Sequence, residues 1–171
     1  MVSEPTSVKG SGDVATIAGQ LAQKMGLAFE NNNVNVKLSN VYVPSNYREQ
    51  IRALAEHAGV QWTIDDGTLA IWPTGKSRQT VGTTLLSKDT GMVAYPAFGP
   101  GVVIVTSVFN PSLKLGGTFV VQSELTPACG TWTITRVNHR LESKTAHGSW
   151  FTEVYEVGAG ADQSAPLSGA D

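Results

Sequence analysis

Apolar residues in the first part of the chain recur every three or four positions, the spacing of one face of a helix. They begin after Asp13 and comprise Val14, Ile17, Ala18, Leu21 and Met25. The Asp13 side chain can accept the free amide hydrogens of a first helical turn. Gly26 suits the left-handed residue that closes a helix. The pattern predicts a helix between these two residues.

A second helix is predicted after Pro44. If Asn46 is its cap, Glu49 occupies the position of a capping-box carboxylate. Its apolar face comprises Tyr47, Ile51, Leu54, Ala55 and Ala58. Both helices end in the phrase Leu-Ala-x-x-x-Gly-aliphatic-x-aromatic, which starts once at Leu21 and again at Leu54. Each copy indicates a helix end, a glycine stop and the start of a strand.

Alternating apolar and polar residues predict strands around these helices. Leu27 to Phe29, a turn at Asn31 to Asn33, and the alternating run from Val34 to Leu38 predict a hairpin. Asp66-Gly67, between Val60 to Ile64 and Thr68 to Trp72, predicts another. We therefore expect two helices on one face of a small mixed sheet.

After Pro73 the helical period disappears. Five β segments are predicted, separated by Gly, Pro and Asn: Met92 to Tyr95, Val102 to Phe109, Thr118 to Gln122, Trp132 to Leu141 and Trp150 to Val157. In the fourth segment the large apolar residues change from even to odd positions, which implies a bulge or sharp bend. Short strands of this kind suggest a small barrel or a curled sheet.

The fold class is therefore α+β. The predicted organisation is a leader over residues 1–12, an α/β module over 13–74, a connector over 75–90, a β-rich barrel-like domain over 91–157, and a disordered tail over 158–171. The tail is expected to be disordered because it contains one Pro and one Leu among Gly, Ala, Ser, Asp and Gln.

The charge pattern gives no reason to expect direct nucleic-acid recognition. The 171 residues include 12 Lys and Arg against 14 Asp and Glu, and the basic residues are scattered rather than clustered. Charged residues make up 15% of the chain, below the roughly 25% of ordinary domains, which suits a surface covered by neighbours. No apolar run approaches the roughly 20 residues of a membrane helix, so no membrane anchor is expected.

No combination of residues predicts catalysis, a cofactor or a metal ion. Gly75-Lys76-Ser77 lacks the glycine five residues earlier that a phosphate-binding loop requires. His139 and His147 flank Glu142, but no further ligand is evident for a metal. Cys129 is the one cysteine, and no nucleophile elbow is present. The chain is therefore predicted not to be an enzyme.

Aromatic residues concentrate in the last two predicted strands. The candidate assembly interface comprises Trp132, Trp150, Phe151 and Tyr155. Residues 150–157 carry apolar groups on both faces, so this strand is either central in a barrel or covered by another chain. Both interpretations stay open at this stage. Trp and Tyr are typical anchors of protein interfaces.

An ordered series of short segments resembles the tail hub proteins of contractile-tailed bacteriophages and related injection machines. The series runs over roughly residues 6–157. Its segments are Ile17 to Leu27, Ala58 to Ile64, Asp66 to Leu69, Thr90 to Val93, Phe109 to Pro111, Gly116-Gly117, Thr131 to Thr133, His139 to Glu142 and Gly148 to Phe151.

The resemblance implies a structural protein of the virion baseplate that joins the tail tube to the spike through protein contacts. Synthesis in the host cytoplasm is expected because the N-terminal residues lack the pattern of a signal peptide. It implies a homo-oligomer, with a trimer favoured. Hub proteins generally carry a further tube-like β domain ahead of the α/β module, whereas this chain begins almost at the module. Two alternatives remain: an assembly module of a bacterial envelope or secretion system, and a tail-associated enzyme that degrades cell walls.

Overall fold

The computed structural model describes residues 4–157, which divide into two compact units. The first extends to Thr80 and the second begins at Val81. This division falls within the stretch predicted as a connector. The expectation of a disordered tail over residues 158–171 lies outside the described residues.

Within residues 4–80, the first unit contains two helices and five strands. In chain order they are β1 (Thr6–Asp13), α1 (Val14–Lys24), β2 (Ala28–Asn31), β3 (Lys37–Val43), α2 (Tyr47–Ala58), β4 (Val60–Asp65) and β5 (Thr68–Pro73). Both predicted caps are present: Asp13 accepts the Thr16 amide at 2.9 Å and Asn46 accepts the Glu49 amide at 3.0 Å. Gly59 closes α2 with φ of 64°, a conformation that favours glycine.

The predicted hairpin between β2 and β3 is wrong. β2 pairs in parallel with β5, whereas β3 pairs antiparallel with β1, a strand formed mostly by residues of the predicted leader. The Asn31 side chain accepts the Val34 amide at 2.8 Å, so the asparagines do form a turn. Alternation identifies a strand and its buried face but not its partner, and for this reason the pairing could not be read from the pattern.

The second predicted hairpin is confirmed. β4 pairs antiparallel with β5 through a two-residue turn, in which Asp66 has φ of 45° and Gly67 has φ of 72°. Both repeat phrases therefore lead into strands on either side of β5, in the sheet order β2-β5-β4. The helices cover the face that carries Phe29, Leu69 and Ile71, and the core of this unit lies between them.

The other face of this sheet is covered by the segment that follows β5. Arg78 lies across it with 3% of its side chain exposed. Its guanidinium contacts Glu30 on β2 at 3.0 Å and Asp65 on β4 at 2.8 Å, and it lies 5.9 Å from the ring centroid of Trp72. One side chain thus joins both outer strands of the sheet. We call this set (Glu30, Asp65, Trp72 and Arg78) the Arg78 cluster.

Within residues 81–157, the second unit contains seven strands in two sheets. They are β6 (Thr83–Leu86), β7 (Ala97–Gly99), β8 (Val102–Val108), β9 (Thr118–Val121), β10 (Gly130–Thr133), β11 (Arg136–Leu141) and β12 (Trp150–Val157). One sheet has the order β10-β9-β6 and the other β11-β12-β8-β7. Among the described residues neither closes into a barrel, so the α+β class is confirmed but the barrel-like shape is not. Met92 forms only an isolated bridge with Ser107.

The predicted bend in residues 132–141 is a change of sheet. The chain leaves the three-stranded sheet after Thr133 and enters the four-stranded sheet at Arg136. Ile134 lies between them with 1% exposure, and its amide donates to Gly117 at 2.8 Å. The side chains from both sheets pack around Phe119 and Val154, which are fully buried. The change from even to odd apolar positions marks this corner.

The Arg78 cluster predicts a pH-dependent stability. Hydrogen bonding to Arg78 lowers the pKa of Glu30 from 4.5 to about 2, against the opposing effect of burial. Because the folded pKa lies below the unfolded one, the carboxylate stabilises the fold above pH 4.5, and this stabilisation is lost as the pH falls toward 2. Glu30→Gln should lower the free energy of unfolding at pH 7 by about 2 kcal/mol and flatten its acid dependence, measured by urea unfolding at several pH values.

Glu56→Gln provides the matched control. The Glu56 side chain is 68% exposed and lies 4.0 Å from Arg52, so its substitution should change stability by less than about 0.5 kcal/mol. Equal effects of the two substitutions would contradict the role assigned to Arg78.

Candidate assembly surface

One end of the four-stranded sheet carries exposed apolar side chains. Leu141 on β11 pairs directly with Trp150 on β12, and Phe109 follows β8 with its amide donating to the Trp150 carbonyl at 2.8 Å. Their exposures are 46%, 49% and 36%. We call Phe109, Leu141 and Trp150 the Trp150 patch. Contiguous exposed apolar groups of this kind commonly mark interaction sites.

The aromatic rings of this patch are held in place. The indole Nε1 of Trp150 donates to the Glu142 carbonyl at 3.2 Å. The Phe109 ring lies edge-on to Trp150, with centroids 6.1 Å apart, and edge-on to His139 at 5.3 Å. The His139 Nδ1 is 2.9 Å from the hydroxyl of buried Thr152. A partner would therefore meet rings that are already ordered, which reduces the entropy cost of binding.

Phe151 and Tyr155 lie on the opposite face of β12. They share this outer face with Val108, which is 51% exposed and pairs with Phe151. Arg136 lies over the Tyr155 ring at 5.3 Å. Burial, assisted by the neighbouring charge of Glu153, raises the pKa of the Tyr155 hydroxyl, which donates to Glu153 at 3.1 Å. Both aromatic side chains are half-buried.

Trp132 belongs to a different environment from the other three candidate residues. It lies on β10 in the three-stranded sheet, packs against the buried core and donates from Nε1 to the Ala128 carbonyl at 3.0 Å. The structure therefore brings Phe151 and Tyr155 together on one face, places Trp150 on the other side of their strand, and assigns Trp132 to the core.

Sequence reasoning missed two members of the patch and the Arg78 cluster. Leu141 ends a strand whose other apolar residue, Val137, packs on the core, and Phe109 directly precedes Asn110-Pro111. An apolar residue at the last position of a strand is a signal that could have drawn attention to Leu141. Arg78 gave no such signal, because its partners Glu30 and Asp65 are far from it in sequence.

A groove of about 560 Å³ lies elsewhere in the second unit, beside Met92, Val93 and Tyr95. The Tyr95 hydroxyl donates to Glu124 at 3.1 Å across one side of it. Within residues 4–157, no three His, Cys, Asp or Glu side chains are grouped as metal ligands. Neither helix in that range has the length and apolar character needed to cross a bilayer.

The fold is that of bacteriophage tail proteins. It is similar to the 43 kDa tail protein of prophage MuSo2 from Shewanella oneidensis, with a TM-score of 0.55 and 12% identity over 86% of this chain and 65% of that one. It is also similar to a tail protein from Neisseria meningitidis MC58, with a TM-score of 0.62 and 12% identity over 93% of this chain and 70% of that one. This chain thus spans about two thirds of each length.

Residues 2–154 match the family described as Baseplate hub gp41, and the chain belongs to that family. It is a structural component of a bacteriophage tail baseplate, located in the virion tail. The resemblance seen in the sequence is thereby confirmed. The sequence has no match among curated proteins.

Two tryptophan substitutions should lower stability by different amounts. Trp132→Ala removes a ring that packs on the core and should lower the free energy of unfolding by about 3 kcal/mol. Trp150→Ala removes a half-exposed ring and should cost less than about 1 kcal/mol. Urea unfolding followed by circular dichroism would measure both. A larger loss for Trp150→Ala would indicate that the patch serves the fold rather than a partner.

Proposed function

We propose that this chain is a hub protein that joins the tail tube to the spike through protein–protein contacts, and that the Trp150 patch is one of its contact sites. The observation that carries this proposal is a cluster of exposed apolar side chains, two of them preordered aromatic rings, at one end of the four-stranded sheet. Membership of the baseplate hub family supports the role.

The patch has the composition of an energetically important interface site. Trp is among the residues most enriched at positions that dominate binding energy. Trp150 is surrounded by Leu141 and Phe109, which could exclude water from its contact with a partner. Its indole nitrogen already has an acceptor in Glu142, so covering the ring would leave no unsatisfied donor.

Incorporation into particles tests this role. With Trp150→Ala supplied in place of the natural chain, the amount of this chain in purified particles should fall by about tenfold or more, since loss of an anchor residue costs 2 kcal/mol or more. Quantitative mass spectrometry of the particles would measure it. Tyr42→Ala is the control, because Tyr42 is 64% exposed and lies on β3 in the first unit. Normal incorporation of the Trp150 variant would reject the patch as a contact site.

The proposal includes assembly as a homotrimer, which the resemblance to hub proteins supports. Light scattering on the purified chain should give three times its mass of 18.1 kDa. A mass equal to that of one chain would reject self-assembly of the isolated protein, while leaving the particle experiment to decide the contact with other proteins.

The proposed role does not involve catalysis, and the structural nature of the family supports this. Zymography on peptidoglycan is the direct test, because a cell-wall-degrading activity is the enzymatic alternative for a tail protein. We expect no cleared zone from the folded chain. Clearing by the wild-type protein would overturn the non-enzymatic role.

A further inference from the structure

Within residues 4–157, the strand β11 forms one edge of the four-stranded sheet, and β12 is the one strand that pairs with it. All of its side chains except Val137 are exposed. Natural proteins usually protect an edge with a very short strand, a proline, a bulge or charged side chains, lysine above all. The opposite edge, β7, has three residues and follows Pro96. β11 has six residues in unbroken register, without proline or lysine, and its charged side chains are those of Arg136 and Arg140.

The ladder geometry identifies the backbone groups on this free edge. Phe109 donates its amide to the Trp150 carbonyl, and Glu142 donates its amide to the Ser149 carbonyl. Because hydrogen-bonded pairs alternate in an antiparallel ladder, Arg136, Asn138 and Arg140 direct their backbone groups toward β12. The backbone groups of Val137, His139 and Leu141 therefore point outward, where another strand could pair with them.

The two faces of β11 have different chemistry. Arg136, Asn138 and Arg140 lie on the outer face, whereas Val137 and Leu141 lie on the face that carries the core and the Trp150 patch. Within residues 4–157 neither arginine forms an ion pair. Glu153 is the carboxylate nearest to this row in the sheet, and it accepts hydrogen bonds from Asn138 and Tyr155. The edge thus presents two positive charges without a carboxylate in the strand itself.

We propose that β11 receives an added antiparallel strand from another baseplate protein, with acidic residues opposite Arg136 and Arg140 and apolar residues opposite Val137 and Leu141. Opposite charges across neighbouring strands stabilise pairing, and backbone hydrogen bonds supply affinity in strand addition. The apolar side of the added strand would continue over Leu141 toward Trp150. This inference rests on the proposed docking role of the same sheet end.

A strand from a different protein fits this edge better than a second copy of β11. Two copies paired edge to edge would place four arginines on one face, which is unfavourable. The outer strands of the first sheet in a second copy could not supply the acidic residues either, because Glu30 and Asp65 are already bound by Arg78. A nucleic acid would satisfy the arginines but would leave the outward amides and Val137 without matching groups.

A pair of synthetic peptides tests the proposal on the full chain. The acidic peptide contains Val-Glu-Val-Thr-Val-Glu, and the basic one replaces each Glu with Lys. We expect the acidic peptide to bind about tenfold more tightly, and the double variant R136E/R140E to reverse this preference. Amide hydrogen exchange by NMR should slow at Val137, His139 and Leu141 when the acidic peptide is bound, which charge attraction alone would not produce.

Substitutions at His139 separate the backbone contribution from that of the side chain. His139→Pro removes an outward-facing amide, whereas His139→Ala keeps it. The proline variant should bind the acidic peptide about fivefold more weakly than the alanine variant, once NMR spectra show that both fold. Equal binding by these two variants, or unchanged exchange at the outward amides in the wild type, would overturn strand addition.

Two further outcomes would also overturn it: binding of a single-stranded oligonucleotide as tight as that of the acidic peptide, or dimerisation of the chain that the acidic peptide does not displace. If Trp150→Ala is lost from particles while neither peptide binds, the proposed function stands and strand addition fails. If the acidic peptide binds as described while Trp150→Ala is incorporated normally, strand addition stands without the Trp150 patch.

Discussion

A three-stranded sheet has two faces, and the first unit has helices for only one of them. The second face is covered by the segment after β5, where Arg78 forms ion pairs with residues of β2 and β4, the two outer strands of the sheet. Burying a charge is costly unless it is paired and hydrogen-bonded, and the contacts with Glu30, Asp65 and Trp72 meet that condition. These contacts hold β2 and β4 in a fixed position relative to each other. They also attach the polar segment after β5 to the first unit.

The second unit buries the apolar faces of its sheets by packing two sheets around one core. The chain changes sheet at Ile134, and the apolar faces of both sheets enclose one core around Phe119 and Val154. This leaves the outer face and the end of the four-stranded sheet free of core packing. Leu141 and Trp150 lie where the sheet extends past the core, so their exposure follows from strand length rather than from a gap in packing. A protein that works by contact with neighbours can use such a sheet end without weakening its own core.

The edge strand and the patch have complementary physical properties. The patch offers apolar area with ordered rings, and β11 offers directional backbone groups flanked by Arg136 and Arg140. Apolar burial supplies affinity with little directional preference, whereas strand pairing fixes register and orientation. Together they would allow a partner to dock in one orientation, which is what the proposed role between a tail tube and a spike requires.

The sequence by itself determined the local elements. Helix caps at Asp13 and Asn46, the glycine stop at Gly59 and the Asp66-Gly67 turn are short-range effects, and each was read correctly because its physics lies within a few residues. The ordered resemblance to hub proteins likewise identified the family without any long-range contact. Tertiary structure alone decided that β3 pairs with β1, that Arg78 joins Glu30 and Asp65, and that Trp132 and Trp150 have different environments. The sequence pattern around a tryptophan on a strand is the same whether its ring is buried or exposed. Only the packing of segments that are distant in sequence decides which environment the ring has.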